Sequence, residues 1–431
     1  MIKYLGDKLG FFKEETSWIL YDVANSEFIL MTTTVIFPLM MSYISKVQGS
    51  IYVGWANTIY ALILALIAPV LGTIADYRGY KKKFFLLFLT LGLAGAFVLA
   101  LPFINDFQAF LIYIVTMVGY GGANVFYDAF LVDVTSEARL NKISSAGYGW
   151  GYIGSVVPFL LFIIPFGAVT LFGGDLLSLP LGGFTLTYRL AMSISMALAA
   201  LWWFGFSFPM LKNVKQRYFR PDEDHVIKKS FERLYNTFKN IQNQKNVFLF
   251  CLAYFFYIDV VNSVIKMAVA LATDMGISPV ASLGVIIVVQ FVAFPSALLY
   301  GHLANRVGDK KMLFVGIFGY FVVVLVGSRL GHNPGLIWVL GFIVGLLQGG
   351  IQAISRSFFA KLIPDKKDSS EYFGFFSIFS KFSAILGPLS ISIVVTVTKN
   401  PSQSILALIP LLVIGGSILV FVKEPENSEV Q

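Results

Sequence analysis

Polar side chains interrupt an apolar run near the start of the chain, where Asn25 and Glu27 lie within the sequence Tyr-Asp-Val-Ala-Asn-Ser-Glu-Phe. A carboxylate at the depth of a bilayer costs at least about 2.5–3.5 kcal/mol, so such a group faces a wet cavity or a partner. A glutamate removed from water can bind and release a proton near neutral pH. We therefore expect Glu27 and Asn25 to serve a substrate or proton-coupling site. The alternative is a Glu27 that is permanently paired with Lys266 or Arg356.

Four more charged residues fall inside apolar runs: Asp128 in the first half of the chain, and Lys266, Arg356 and Lys381 in the second. An acid on one wall and a base on the other suit a zwitterionic solute, or a salt bridge that breaks during a transport cycle. Arg356 can hold a carboxylate or phosphate through two hydrogen bonds, and a structural pair with Asp128 is the alternative. The lysines can bind an anionic group, or they can pair between helices or reach toward the membrane surface. Further candidate contacts are Tyr127 and Gln352.

Tracts of membrane length carry these residues. The 431-residue chain is 57% hydrophobic and only 13% charged, whereas a soluble protein carries about 25% charge. Runs of about 20 apolar residues recur along the chain, and a run of that length crosses the hydrocarbon core as a helix. The composition therefore predicts an all-α integral membrane protein with twelve transmembrane helices. The runs cover residues 18–44, 51–75, 83–104, 108–134, 143–170, 187–210, 247–273, 279–304, 311–330, 335–361, 372–397 and 402–422.

Two sequence patterns recur in the same order in two parts of the chain, and a third pair is the loop motif described below. Asp22-Val-Ala-Asn-Ser26 is echoed by Asp259-Val-Val-Asn-Ser263, and a stretch that begins at Gly121 is echoed by one that begins at Gly349. Echoes in this order indicate duplication of a six-helix unit. We therefore predict two pseudosymmetric six-helix bundles with a polar site between them.

The duplication predicts three domains: a bundle in residues 1–210, a cytoplasmic linker in residues 211–246 and a second bundle in residues 247–431. Apolar linker residues are spaced by three and four, as on one face of an amphipathic helix that lies along the membrane surface.

Basic residues cluster in alternate loops, which predicts both termini on the cytoplasmic side of a multi-pass protein of the cell membrane. The net charge of +8 is explained by this topology rather than by nucleic acid. The single Cys251 excludes a disulfide framework, and the three histidines have no metal-ligand spacing. A phosphate-binding loop and a nucleophile–base constellation are both missing from the sequence. We therefore expect no enzyme activity, no metal and no cofactor.

A glycine-rich basic loop between the second and third runs is repeated between the eighth and ninth. Its form resembles the signature loop of the major facilitator superfamily, Gly-x-x-x-Asp-Arg-x-Gly followed by basic residues. The resemblance implies that Asp76 latches against the start of span eleven and closes the cytoplasmic side. This chain departs from the pattern at Tyr77, where the family has arginine, and at Asn305, which predicts a weaker second latch. The gating residues are Gly72, Asp76, Arg78, Gly79, Lys82, Gly301, Asn305, Arg306 and Gly308.

A narrower resemblance covers nearly the whole chain. The block Gln348-Gly-Gly-Ile-Gln-Ala-Ile-Ser-Arg356, the following Glu371-Tyr-Phe-Gly374 and Leu386-Gly-Pro388 are similar to the branch related to the fungal vacuolar amino-acid effluxers of autophagy. Glu27, Asp128 and Lys266 stand where that branch has uncharged residues. The substrate implied by the resemblance, a neutral amino acid, need therefore not be the substrate here.

These observations predict a secondary active transporter that works by alternating access as a symporter or antiporter. The expected partners are a small polar, zwitterionic or anionic solute, with an amino acid or related metabolite first, protons as the coupling ion, and the lipid bilayer. We expect a monomer. The alternative is a flippase for lipids or lipid-linked precursors on the same fold.

Overall fold

Apolar tracts become helices here because a segment in lipid must satisfy its backbone hydrogen bonds internally. The computed structural model describes residues 6, 9–45, 49–173, 177–181, 183–221, 226–239, 244–274, 279–330, 335–383 and 385–424, and some side chains within these ranges, including that of Lys266, are not described. Eleven described helices are long and apolar enough to span a membrane, and a bent pair makes a twelfth.

We number these helices as spans 1 to 12 in chain order. Spans 1 to 6 are Lys13–Ile29 continued by Leu30–Ile36 and Phe37–Ser45, Gly49–Ala75, Tyr80–Leu99, Asp106–Ala129, Leu140–Phe162 continued by Ile164–Phe172, and Tyr188–Asn213. Spans 7 to 12 are Lys245–Asp274, Pro279–Val307, Asp309–Gly327, Leu336–Leu362, Ser369–Phe382 continued by Leu386–Thr398, and Ile409–Phe421. The predicted runs and their number are confirmed to within a few residues at most boundaries.

Three spans are irregular. Span 1 widens into a π-helix over Leu30–Ile36, one turn beyond Glu27. Span 5 bends by 43° near Ile163, where Pro165 lacks the N–H needed to continue the helix. Span 11 is interrupted between Phe382 and Leu386. A short antiparallel hairpin, β1 (Ser178–Leu181) with β2 (Phe184–Thr187), connects spans 5 and 6 and is a small exception to the predicted all-helical fold.

The helices of spans 1–6 and of spans 7–12 meet along two seams. Span 8 and span 10 pack against span 5, while span 11 packs against span 2. The loops at 75–80 and 307–309 lie at one end of the bundle, which we call the loop-motif end. The described chain also begins and finishes there, because Gly10 accepts a hydrogen bond from Arg139 and Glu424 accepts one from the Lys310 amide. The predicted domain boundaries and the cytoplasmic location of this end stay predictions.

The first sequence echo corresponds to the same packing contact in both halves. A Cβ added to Gly151 of span 5 would meet the hydroxyl of Ser26, and one added to Gly387 of span 11 would meet the hydroxyl of Ser263. Each glycine therefore lets span 1 or span 7 approach its neighbour closely.

Candidate functional site

Arg356 of span 10 crosses the seam and is bound by three residues of the other half. Its Nη1 donates to Asp128 Oδ1 at 3.1 Å, and its Nη2 donates to Asp22 Oδ2 at 3.3 Å. Its Nε donates to Ser144 Oγ at 3.0 Å, and Nη2 also reaches the Ser144 carbonyl at 3.0 Å. We call Arg356, Asp22, Asp128 and Ser144 the arginine cluster. The planar guanidinium suits this arrangement because its donors point outward in one plane.

Aromatic rings enclose the guanidinium. Its carbon lies 4.3 Å from the ring centre of Tyr148, 4.6 Å from Trp18 and 5.5 Å from Tyr127. The Tyr127 hydroxyl also donates to Asp22 at 2.8 Å. Rings at these distances attract the cation and exclude water from it, which strengthens every charged contact in the cluster.

The arginine cluster lies toward the loop-motif end of the helices that carry it. Arg356 is in the last two turns of the helix that ends at Leu362, about 9 Å from that end. Asp128 lies one residue before the end of its helix at Ala129. Only 4% of the Arg356 side chain is exposed, but 28% of the Asp128 side chain remains accessible. Arg356 is therefore enclosed within the cluster, whereas part of the Asp128 side chain stays accessible at its edge.

Lys381 lies beside span 4 from the opposite half. Its Nζ is 3.7 Å from the position of a Cβ at Gly121, and 5.8 Å from the ring centre of Tyr60. Gly121 and Asp128 are seven residues apart and share one helix face, and Lys381 is near enough to Asp128 to interact with it electrostatically.

The amide side chains predicted for the site take part in hydrogen bonds. Asn25 donates to Asn124 Oδ1 at 3.3 Å, which joins span 1 to span 4. Gln352 of span 10 accepts a hydrogen bond from the Tyr152 hydroxyl of span 5 at 2.8 Å. This second contact crosses the seam between the halves, as the arginine cluster does.

Glu27 lies apart from the arginine cluster. Helical geometry places it about 140° around span 1 from Asp22, and Val23, one turn below it, packs against Gly154 of span 5. Glu27 is 0% exposed, and both of its carboxylate oxygens are without a hydrogen-bond partner among the described residues. Lys266, one of the two alternative partners of Glu27, lies outside the described side chains.

Asp76 occupies the position that the loop motif implies. Its Oδ1 accepts a hydrogen bond from the Ser370 amide at 2.8 Å, and its Oδ2 accepts one from the Glu371 amide at 3.4 Å. These are free donors of the first turn of span 11, where the helix dipole favours a negative charge. Asp76 is fully buried, so the contact joins the two halves without intervening solvent.

Most other residues of the two loop motifs either form the turns or contact neighbouring segments. Gly79 and Gly308 have φ of +79° and +105°, which other residues adopt with strain. Lys82 donates to the Val214 carbonyl, and Arg78 lies over the Phe219 ring. In the second motif Asn305 accepts a hydrogen bond from Asn141, Gly301 packs against Ser145, and Arg306 is exposed.

Several contacts were missed by sequence reasoning. Asp309, directly after the second motif, bonds Asn141 at 2.5 Å and Lys361 at 2.6 Å, so it supplies the acid that Asn305 lacks. Lys81, which is 0% exposed, bridges Asp133 at 2.7 Å and Ser369 at 2.8 Å. The position of Asp309 beside Gly308 was a usable signal, whereas nothing in the sequence identifies the partners of Lys81.

Replacing Gly72 with alanine is expected to loosen the loop-motif end. The added Cβ would overlap the Ser370 carbonyl oxygen. Gly72 and Ser370 are both buried where spans 2 and 11 meet. Overpacking of this kind typically costs about 1–3 kcal/mol. The measurement is thermal melting of the purified protein, with Gly205→Ala as control, because a Cβ there meets nothing within 4 Å. Equal melting temperatures for the two variants would contradict the close approach at Gly72.

Comparison with solved structures gives the class of protein. The chain matches the E. coli fucose:proton symporter FucP with a TM-score of 0.68 and 13% identity over 95% of this chain and 98% of that chain. It matches the human organic anion transporter MFSD10 with a TM-score of 0.67 and 11% identity over 94% and 99%. Likeness at this identity establishes the fold alone, which is the major facilitator fold.

Sequence comparison then gives the family. The family described as "Vacuole effluxer Atg22 like" matches residues 45–429. The "uncharacterized MFS-type transporter YxiO" of Bacillus subtilis is 43% identical over 427 residues, which are 97% of each chain. Autophagy-related protein 22 of Yarrowia lipolytica is 26% identical over 321 residues, 66% of this chain and 50% of the fungal one. The chain belongs to the Atg22-like family of major facilitator transporters, as the loop motif and the block at 348–388 predicted.

Proposed function

We propose that the chain transports a small zwitterionic solute, an amino acid or a related metabolite, by alternating access coupled to protons. The observation that carries the proposal is the pair of opposite charges on facing halves. Asp128 on span 4 keeps 28% of its side chain accessible, and Lys381 on span 11 lies across from the same face of span 4.

An acid and a base facing each other recognise a zwitterion through both of its charged groups. The ammonium group of the solute would bind Asp128, and its carboxylate would bind Lys381. Because Asp128 also holds Arg356, a bound ammonium group competes with the arginine for one carboxylate. Occupancy of the site would therefore weaken the arginine cluster and favour opening at the loop-motif end, which is the coupling that alternating access requires.

Glu27 is the proposed proton carrier, separate from the solute site. An ionised carboxylate without partners is unstable in an apolar interior, whereas a proton removes its charge. Glu27 has no partner among the described residues, and the π-helix at Leu30–Ile36 begins three residues later. Short π-segments inside helices are frequent at functional sites, and we propose that this one allows span 1 to rearrange when Glu27 gains or loses its proton.

The solute class is tested by thermal melting of the purified protein with matched compounds. Amino acids should stabilise it, by about 2.7 kcal/mol at a hundredfold excess over the dissociation constant. N-acetyl amino acids, which lack the ammonium group, and amino-acid amides, which lack the carboxylate, should not. Asp128→Asn and Lys381→Met should abolish the effect, and exposed Lys311→Met should retain it. Stabilisation by acetylated compounds, by amides or by lipid headgroups instead of amino acids would refute the proposal that the solute is a zwitterion.

A further inference from the structure

The segment that joins the two halves contributes an arginine to the contact between Asp76 and the first turn of span 11, which we call the gate. Arg233, in the linker helix Val226–Lys239, donates through Nη2 to Asp76 Oδ2 at 2.6 Å. Its Nε donates to Glu371 Oε2 at 2.7 Å, and Nη2 also reaches the Thr73 carbonyl at 3.0 Å. One guanidinium thus binds span 2, the loop motif and the first turn of span 11 at the same time.

The linker helix is oriented so that Arg233 faces the protein. Ser230, one turn earlier, is 1% exposed, whereas Phe231 is 52% exposed and the Lys228 side chain is 79% exposed. The helix packs along span 2. Arg233 therefore reaches the gate because the buried face of the linker helix is held against span 2, while Lys228 on the opposite face points to solvent.

The chain before the linker helix is also hydrogen-bonded to the loop-motif end. Arg220 makes two hydrogen bonds to Asp368, at 2.5 and 2.8 Å, and these raise its pKa above the usual range. The amides of Arg217 and Tyr218 both donate to Asp133 Oδ1, at 2.7 and 2.9 Å. The linker is therefore bonded to the residues that follow span 4 and to the residue that precedes span 11.

Acidic groups converge at the start of span 11. Asp76 and Glu371 are 0% and 2% exposed, and Asp368 lies 4.0 Å from Arg233. Like charges so close together in a buried site repel one another unless a cation lies between them. The first loop motif carries no arginine at residue 77, where Tyr77 stands, and Arg78 lies over the Phe219 ring instead.

We infer that Arg233 supplies the positive charge that the first loop motif lacks at residue 77, and that the linker thereby holds the loop-motif end shut. Opening of the gate then requires that Arg233 leave Asp76 and Glu371, so the linker helix must move with each transport cycle. Arg233 is a positioning residue: it bonds Asp76 of one half and Glu371 of the other.

The gate can be monitored without any substrate. Ser370 is 0% exposed, and its hydroxyl has no partner among the described residues, so Ser370→Cys is a small change that places a thiol inside the closed contact. Cys251 is replaced by alanine to leave one thiol. The rate of alkylation by a water-soluble maleimide in detergent then reports how often the loop-motif end opens.

Arg233→Gln should raise the alkylation rate at least about tenfold, because two buried carboxylates lose the charge and the hydrogen bonds of the guanidinium. Arg233→Lys should fall between this variant and the parent, because an ammonium group cannot bond two carboxylates and a carbonyl in one plane. Arg220→Gln should also raise the rate. Lys228→Gln removes the same charge from the same helix. It should leave the rate within about twofold, because Lys228 pairs only with the solvent-exposed Glu232 among the described contacts.

Melting temperature and elution volume are measured for each variant, so that unfolding is distinguished from opening. The inference is overturned if folded Arg233→Gln and Arg220→Gln protein is alkylated at the parent rate, or if Lys228→Gln accelerates alkylation as much as Arg233→Gln does. Because no solute is added, the result is independent of the proposed zwitterion.

Discussion

Arg356→Met is expected to open the loop-motif end and abolish transport. Removal of the guanidinium takes the hydrogen-bonded cation from both Asp22 and Asp128, and Asp22 is 5% exposed. Breaking a buried ion pair by removing one partner costs about 3–5 kcal/mol. Opening relieves this cost, because both carboxylates then meet water. The equilibrium between closed and open forms should therefore shift by a factor of at least about 100.

The Ser370→Cys alkylation rate measures this shift, and solute exchange across proteoliposomes measures transport. Arg189→Met is the matched control: Arg189 is also buried, but it bonds the carbonyls of Leu101 and Pro102 within one half. That variant should lose stability without opening the loop-motif end. Equal alkylation rates in Arg356→Met and the parent would show that the arginine cluster does not hold the halves together.

Exchanging the charges of the pair, with Asp128→Arg and Arg356→Asp in one chain, should recover only part of the closure. Ser144, Trp18 and Tyr148 are arranged around a guanidinium at residue 356, and an aspartate fills neither the hydrogen bonds nor the ring contacts. Coupling between the two substitutions is read from the double-mutant cycle. A cycle without any coupling would mean that Asp128 and Arg356 act separately.

Glu27→Gln should reduce proton-driven accumulation to the level of empty liposomes while solute exchange continues at the parent rate. Glutamine has the shape of the protonated carboxylic acid and cannot release a proton, so the variant stays in the protonated form of the cycle. Exchange at equal pH needs no net proton movement. The measurement compares uptake under an imposed pH gradient with exchange of labelled for unlabelled amino acid at uniform pH.

Stability provides a second measurement of the same substitution. Any ionised fraction of Glu27 destabilises the folded chain, because the carboxylate is fully buried and has no partner among the described residues. The parent should therefore lose melting temperature relative to Glu27→Gln as the pH rises, and not as it falls. The control is Glu15→Gln, a buried acid of the same span that bonds Arg139 and Thr135; it should lower stability and leave coupling intact. Gradient-driven uptake at the parent rate in Glu27→Gln would remove Glu27 as the proton carrier.

The span count could be predicted from the length of the apolar tracts, whereas the family and the contact of Asp76 were implied by the resemblance of the motifs. A helix needs an apolar tract of about 20 residues to cross a bilayer, and the glycines and the acid of the loop motif suit a tight loop against a helix N-terminus. The echo of Asp22 and Ser26 in Asp259 and Ser263 could also be recognised in the sequence, because each copy is a short contiguous motif.

Which charged residues meet became visible only once the helices were packed. Glu27 and Asp22 are five residues apart, yet one is enclosed without a partner among the described residues and the other bonds Arg356, because 100° of helical rotation per residue sends neighbours to different faces. The cation missing at Tyr77 comes from Arg233, more than 150 residues away along the chain. A sequence lists the charges, but their pairing depends on how the spans and the linker pack, since electrostatic energy depends on distance in space.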